Sequence, residues 1–358
     1  MAHSLHIIGS KTLGGAERFC LRLVEALHER GEPVTTAYRQ GSEVVAENPT
    51  GVPLYESPMR TVWDPLSKRA LSNIIRRVEP DIVQTYMGRA TRLTRLPQAR
   101  GAVHVARLGG YYKLKGYLHA HAWIGNTKGV CDYMVRSGLP GHRVHHIYNF
   151  IDPPEASPME ATAGVRRGLG IPDEAIALVT AGRFVEVKGH RYLLEAVSRL
   201  PAEIAGHPVY LVMVGEGMLG EALRRQAVDL GIEERVVWTG WQTAPGRFYE
   251  MADLIVFPSL EQETLGNVIL EAWAYGKPLV TAAFRGAREI TVHGEDAWQV
   301  PCQDAAALAD GIAAVLAEPA LAAEMATRGS ARVHAEFSRD AIVRQYVELY
   351  NVLLQGRG

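Results

Sequence analysis

The stretch Leu254–Thr281 constrains the fold more than any other. It holds a short apolar run (Leu254–Phe257), a loop, a helical pattern from about Gly266 to Tyr275, and a second short run at Pro278–Thr281. Two strands joined through a helix pair in parallel. In such a unit the loop and the helix N-terminus sit at the carboxyl edge of the sheet, where open α/β sheets bind ligands. The first helical N–H groups lack partners and carry the positive end of the dipole, which favours phosphate. Gly266 would allow the backbone close to a ligand. Glu271, about one turn into the helix, would repel phosphate but can accept hydrogen bonds from ribose hydroxyls. Glu263, still in the loop, can do the same for a sugar. Alone, either is equally an ordinary exposed glutamate.

The rest of the chain repeats this alternation. Leu5–Gly9 reads as a first strand, and Gly14-Gly15 opens a helix with apolar positions Phe19, Cys20, Leu23, Val24 and Leu27, stopped by Gly31. The turn is not G-x-G-x-x-G, so a dinucleotide site there has little support. It is read either as a phosphate or acceptor loop or as a tight βα turn. Further strands are predicted at Val34–Tyr38, Asp81–Tyr86, Val103–Arg107, Trp123–Gly125 and Val144–Tyr148, with a helix at Leu66–Val78. Asn149–Pro158 is proline-rich and reads as a linker. A second series follows, with strands at Ile176–Ala181, Val209–Val214, Val236–Gly240, Leu254–Phe257, Pro278–Thr281 and Trp298–Val300.

The fold class expected is therefore α/β: two doubly wound, Rossmann-like domains facing across a cleft. The boundaries are 1–152 and 160–335, with an amphipathic helix at 339–354 that can pack back on the first domain. A length of 358 residues suits about two domains.

A net charge of −1 argues against a nucleic-acid partner. The charge is uneven. Arg60–Ala120 holds twelve Lys and Arg against three Asp and Glu, whereas Glu250–Asp340 holds six against fourteen. The basic first half can face an anionic membrane or acceptor, or form solvated helix faces. Cys20, Cys131 and Cys302 are far apart and read as reduced cytosolic thiols. No signal peptide and no apolar run of spanning length is visible, so any membrane contact is expected to be peripheral.

Arg183 and Lys188 lie in the turn after the first strand of the second domain. Together they bring two cations to the edge that carries Glu263 and Glu271, where they can stabilise charge growing on a departing diphosphate. No Asp, His or Cys cluster has metal-ligand spacing, so a metal-free site is the simpler reading.

G-R-F-x-x-x-K-G (Gly182–Gly189), V-G-E-G (Val214–Gly217), V-x-x-x-G-W (through Trp241) and P-S-x-x-x-E-x-x-G-x-x-x-x-E-A-x-A-x-G-x-P (Pro258–Pro278) resemble glycosyltransferase family 4, of the GT-B fold. The resemblance implies retaining transfer of a hexose-like sugar from a nucleotide sugar, with no cofactor and no metal. It implies that Glu271 holds the ribose, Glu263 the sugar, and Arg183 and Lys188 the diphosphate. Gly215-Glu216 and Gly240-Trp241 would lie beside the base. Thr264, Leu265, Gly266 and, from the first domain, Gly15 complete the donor candidates. Gly14, Asn149 and Glu289, the last in the family's G-x-x-E segment, are further candidates that include the acceptor side.

One departure stands out. Many relatives carry a histidine at the end of the strand that here ends at Arg107. We expect Arg107 at the site, binding donor phosphate or an anionic acceptor; it cannot act as a base. His104 is the other candidate, otherwise a core or edge histidine. The segment Arg107–Asn126, with I-Y-N-F-I-D, resembles members that extend lipopolysaccharide cores or other surface glycans. The expected partners are thus a nucleotide sugar and a glycan or glycolipid acceptor, at a cytoplasmic or inner-membrane-face location. A sugar-nucleotide epimerase, a glycosyl phosphorylase and a non-catalytic nucleotide-sugar-binding subunit remain alternatives.

Overall fold

The structure, a computed structural model, describes residues 1–96, 101–152, 154, 159–243 and 245–356. The chain divides into two compact units: Met1–Phe150 with the segment from Arg339 onward, and Ile151–Ser338. It therefore passes between them twice, at Phe150–Ile151 and again at Ser338–Arg339, the second passage returning the C-terminal helix to the first unit. Of the expected linker, Pro153 and Glu155–Pro158 lie outside the described residues.

The first unit is built on a parallel sheet of β1 (Ser4–Ile8), β2 (Val34–Arg39), β3 (Leu54–Ser57), β4 (Ile82–Tyr86), β5 (Val103–Leu108), β6 (Ala122–Gly125) and β7 (Val144–His146). Their order is β3-β2-β1-β4-β5-β6-β7, every neighbour parallel. β1 and β4 are buried along their whole length, as the covered faces of a parallel sheet require. The short β3, between Pro53 and Pro58, escaped the sequence reading, as did the helix Met87–Leu93. Both are too short for a periodic signal. The helix Pro65–Val78 starts where Asp64 caps it, accepting from the Leu66 N–H and the Ser67 hydroxyl.

The second unit holds β8 (Ile176–Ala181), β9 (Glu203–Ile204), β10 (His207–Val214), β11 (Val236–Gly240), β12 (Leu254–Phe257), β13 (Leu279–Ala282) and β14 (Trp298–Val300). The parallel order is β11-β10-β8-β12-β13-β14, with β9 antiparallel beside β10. The helices Ala305–Ala317 and Pro319–Glu336 pack into its core through Leu308, Ile312, Val315 and Met325. Among the described residues no single helix is long and apolar enough to cross a membrane.

The C-terminal helix Arg339–Gln355 belongs to the first unit's core through Ile342, Val343, Tyr346, Leu349 and Tyr350. Burying two tyrosine hydroxyls requires partners. The Tyr350 hydroxyl donates to Gln84 Oε1 at 2.8 Å, and Gln84 Nε2 donates to Tyr86 Oη at 2.6 Å. His6 Nδ1 lies 2.8 Å from the same Tyr86 oxygen, so helix, β4 and β1 share one buried network.

Burial lowers the pKa of His6 to about 3. The folded unit thus holds it neutral, while the unfolded chain protonates it near pH ~6.5. Its contribution to stability is fully present above that pH and is lost as pH falls toward 3. We expect this group to cost about 1.4 kcal/mol per pH unit in urea unfolding below about pH 6. His6→Gln, which does not titrate, should flatten the dependence by that amount. Equal slopes in the two proteins would refute this.

Candidate functional site

In the second unit the strand order reverses at β8: β10 lies on one side of it and β12 on the other. The loops leaving β8 and β12 therefore part, and such a reversal is where doubly wound sheets place ligands. The β8 loop carries Gly182–Gly189 and the β12 loop carries Pro258–Gly266. Backbone bonds hold them in register: Leu260 N–H to the Val187 carbonyl (2.8 Å), Phe184 N–H to that of Glu216 (2.8 Å) and Gly215 N–H to that of Gly240 (3.0 Å). Gly189, at φ 65°, is in the left-handed region, and a Cβ there would lie 2.0 Å from the Pro258 carbonyl oxygen. Only glycine meets both conditions.

This frame brings the charges together. Lys188 Nζ donates to Glu263 Oε2 at 2.7 Å, with the two side chains 19% and 15% exposed. The ammonium also stands 5.0 Å from the centre of the Phe257 ring, and Ser259 Oγ donates to the same carboxylate oxygen at 3.4 Å. The Arg183 side chain is exposed and, among the described residues, makes no hydrogen bond or ion pair, while its backbone carbonyl accepts from the Val185 N–H at 2.8 Å. The site thus holds one cation already neutralised and one open to an anion. Glu261, which the sequence reading passed over, binds Arg288 (2.7 Å) and Arg285 (3.2 Å). The Arg288 hydrogen bond, ahead of the charges, holds its carboxyl below the usual range. Among the described residues no group of three His, Cys, Asp or Glu side chains is arranged to hold a metal ion.

The helix Asn267–Ala274 follows Gly266, an N-cap residue with no side chain to bond its first amides. Gly266 has φ 75°, and a Cβ would lie 2.7 Å from both the Phe257 and the Phe284 ring. Packing therefore demands this glycine whether or not a ligand approaches it. The Leu265 side chain is buried, which leaves only its backbone to face a ligand. The Thr264 carbonyl packs where a Cβ on Gly286 would lie 1.6 Å away, which docks the helix Arg285–Ile290 and its half-buried Glu289 against the loop. Glu271 is half-buried and receives a short hydrogen bond from the Tyr249 hydroxyl. Tyr249 was not anticipated; it lies in the short helix Gly246–Met251, which has no clear periodic signal. Glu216 is exposed, with its carboxylate against Gly240, and Trp241 is 46% exposed.

In the first unit, Gly14 precedes the helix Gly15–Glu29, whose first amides no side chain caps. Gly15 is exposed, and the buried Glu17 turns its carboxylate toward Gly14. Arg107 is 3% exposed and faces inward, contrary to the expectation of a ligand-binding arginine. Its Nε donates to Tyr346 Oη at 2.7 Å, its Nη2 donates to Asn149 Oδ1 at 2.6 Å, and its guanidinium lies 3.8 Å from the Phe19 ring centre. Asn149, a candidate beside it, serves the same network. The cause lies in a residue 239 positions away, which no local pattern reveals. His104 is buried with Nε2 2.9 Å from Thr85 Oγ1, and burial, then His119, holds its pKa well below the usual range. Replacing Tyr346 by Phe removes an acceptor from a buried cation. We expect it to cost the first unit about 1–3 kcal/mol in urea unfolding. No measurable loss would mean that the guanidinium finds a partner elsewhere.

Residues 164–332 match the sequence model of the glycosyl transferases group 1, and residues 13–155 that of glycosyltransferase family 4. The lipopolysaccharide core biosynthesis glycosyltransferase LpsE of Rhizobium meliloti (strain 1021) is 33% identical over 342 residues, 94% of this chain and 95% of that one. The chain belongs to glycosyltransferase family 4. A second Rhizobium meliloti glycosyltransferase of lipopolysaccharide core biosynthesis, LpsD, is 32% identical to this family 4 enzyme over 95% of its chain and 96% of the relative. Among solved structures, Anabaena HepE in complex with UDP-glucose superposes with a TM-score of 0.84 at 20% identity, covering 98% of this chain and 100% of that one. That likeness concerns the fold: two Rossmann-like α/β domains, the GT-B architecture.

Proposed function

We propose that this glycosyltransferase moves a sugar from a nucleoside-diphosphate sugar to a hydroxyl of a glycan or glycolipid, with retention at the anomeric carbon and without a metal, in lipopolysaccharide core or other surface-glycan synthesis. The observation that carries it is the grouping of Arg183, Lys188 and Glu263 at the strand-order reversal, with Glu271 on the adjoining helix. The pathway rests on what LpsE and LpsD are named for, and the donor class on the UDP-glucose bound by HepE.

In this reading the bond between the anomeric carbon and the phosphate oxygen breaks as the acceptor oxygen bonds to the same carbon on the same face. The acceptor's proton passes to the departing phosphate oxygen. Negative charge grows on the diphosphate, and Arg183 and Lys188 stabilise it. Glu263, bound to Lys188, fixes that ammonium before the donor arrives and offers its remaining acceptor capacity to sugar hydroxyls. Glu271 accepts from the ribose. Lys188→Ala and Glu271→Ala should each lower donor turnover at least about 100-fold in an assay with a panel of UDP-, GDP- and ADP-sugars. Near wild-type turnover in either variant refutes the site. Epimerised product, or binding without turnover, would replace the transferase reading for this chain.

We also propose that it works at the inner face of the cytoplasmic membrane, docked on anionic lipid. Trp63 and Leu66 are 79% and 66% exposed at the start of the helix Pro65–Val78, with the exposed Arg60 and Arg69 near them in sequence and the exposed Arg76 and Arg77 in the last turn of the same helix. Tryptophan prefers the bilayer interface, and each nearby cation adds about 1 kcal/mol on an anionic surface. Vesicles containing phosphatidylglycerol should pellet the protein and phosphatidylcholine vesicles should not. Trp63→Ser with Leu66→Ser should weaken the binding about 10-fold or more. Equal pelleting with both lipids counts against docking.

A further inference from the structure

We propose that Tyr249 is a positioning residue for the donor's ribose, acting through Glu271. The inference rests on the ribose reading of Glu271 and extends it to a residue that makes no ligand contact of its own. Tyr249 is buried in the helix Gly246–Met251, which lies between the Gly240-Trp241 end of β11 and the start of β12. Its hydroxyl donates a short hydrogen bond to Glu271 Oε2. The Tyr275 ring stacks on it with centroids 5.4 Å apart and planes at 28°. Tyr275 is itself fitted against the same helix, since a Cβ on Gly246 would lie 2.2 Å from its hydroxyl oxygen.

A glutamate carboxylate rotates broadly about its last torsion. Two hydroxyls of one ribose need acceptor lone pairs in fixed directions, so a free carboxylate loses that rotation on binding. Here the loss is taken during folding. Oε2 is tethered to a buried phenol, and Oε1 together with the spare lone pairs of Oε2 remains for the ligand. Burial, then the charge of Glu271, holds the Tyr249 phenol well above its usual range, so it stays a donor at working pH. The tether also joins the ribose carboxylate to the helix that follows the loop read as lying beside the base. A loop and a helix far apart in sequence thereby act as one nucleoside surface.

The test is calorimetric titration of UDP, GDP and ADP, each beside its 2′-deoxy and 3′-deoxy forms, into wild type, Tyr249→Phe and Glu271→Gln. Tyr249→Phe keeps the ring and its stacking, and its thermal unfolding checks that it folds. We expect the nucleotide that wild type prefers to bind about 10-fold more weakly to Tyr249→Phe. The penalty for removing a ribose hydroxyl should shrink in that variant as it does in Glu271→Gln. A purely structural role would weaken ribo and deoxy forms alike and leave the penalty intact, which overturns the inference alone. A wild type indifferent to the ribose hydroxyls overturns the ribose reading of Glu271 and this inference with it.

Discussion

The second unit depends on one constraint, the parallel pairing of β8 with two neighbours whose chain connections run in opposite directions from it. Parallel strands send all their carboxyl-end loops to one edge, and the reversal opens a space between two of them. Everything in the candidate site follows from how those loops are then secured. Backbone hydrogen bonds link the loops after β8, β10, β11 and β12, and Gly189 lets the chain pass against the Pro258 carbonyl. Lys188 and Glu263 meet across that closed frame, each satisfying a charge that would otherwise be costly to leave half-buried.

The first unit solves a different problem. Its sheet carries buried polar groups, and the C-terminal helix supplies their partners. Tyr346 and Tyr350 stand one turn apart and reach Arg107 on β5 and Gln84 on β4. The last helix therefore completes the first unit's core, although the whole second unit intervenes in sequence. A buried guanidinium held by a phenol, an amide and an aromatic face is a structural element, and its place at a strand end, where a ligand contact was expected, does not make it one.

Much of the fold was legible because its signals are local. Short apolar runs alternating with helical periods identify parallel α/β units, and β8, β11 and β12 stand as expected. Elements too short to show a period were missed, among them β3 and the helix that carries Tyr249. The sequence placed Lys188 and Glu263 in loops that follow strand ends, and the structure brings these two side chains to 2.7 Å of each other. Gly266 carries a packing demand that the loop sequence alone does not show, since the two rings beside it come from Phe257 and Phe284.

Arg107 marks the limit most clearly. By itself the sequence determined that the chain alternates strand and helix in two series, and which loops gather at each sheet edge, because propensity, period and glycine placement act over a few residues. Only the tertiary structure decided which charged and polar groups are already satisfied. Arg107 turns inward to Tyr346, Lys188 is held by Glu263, and Tyr249 tethers Glu271. Those outcomes depend on strand order and helix docking, which bring residues into contact across long stretches of chain, and the energy of a buried polar group is set by the partner it meets there.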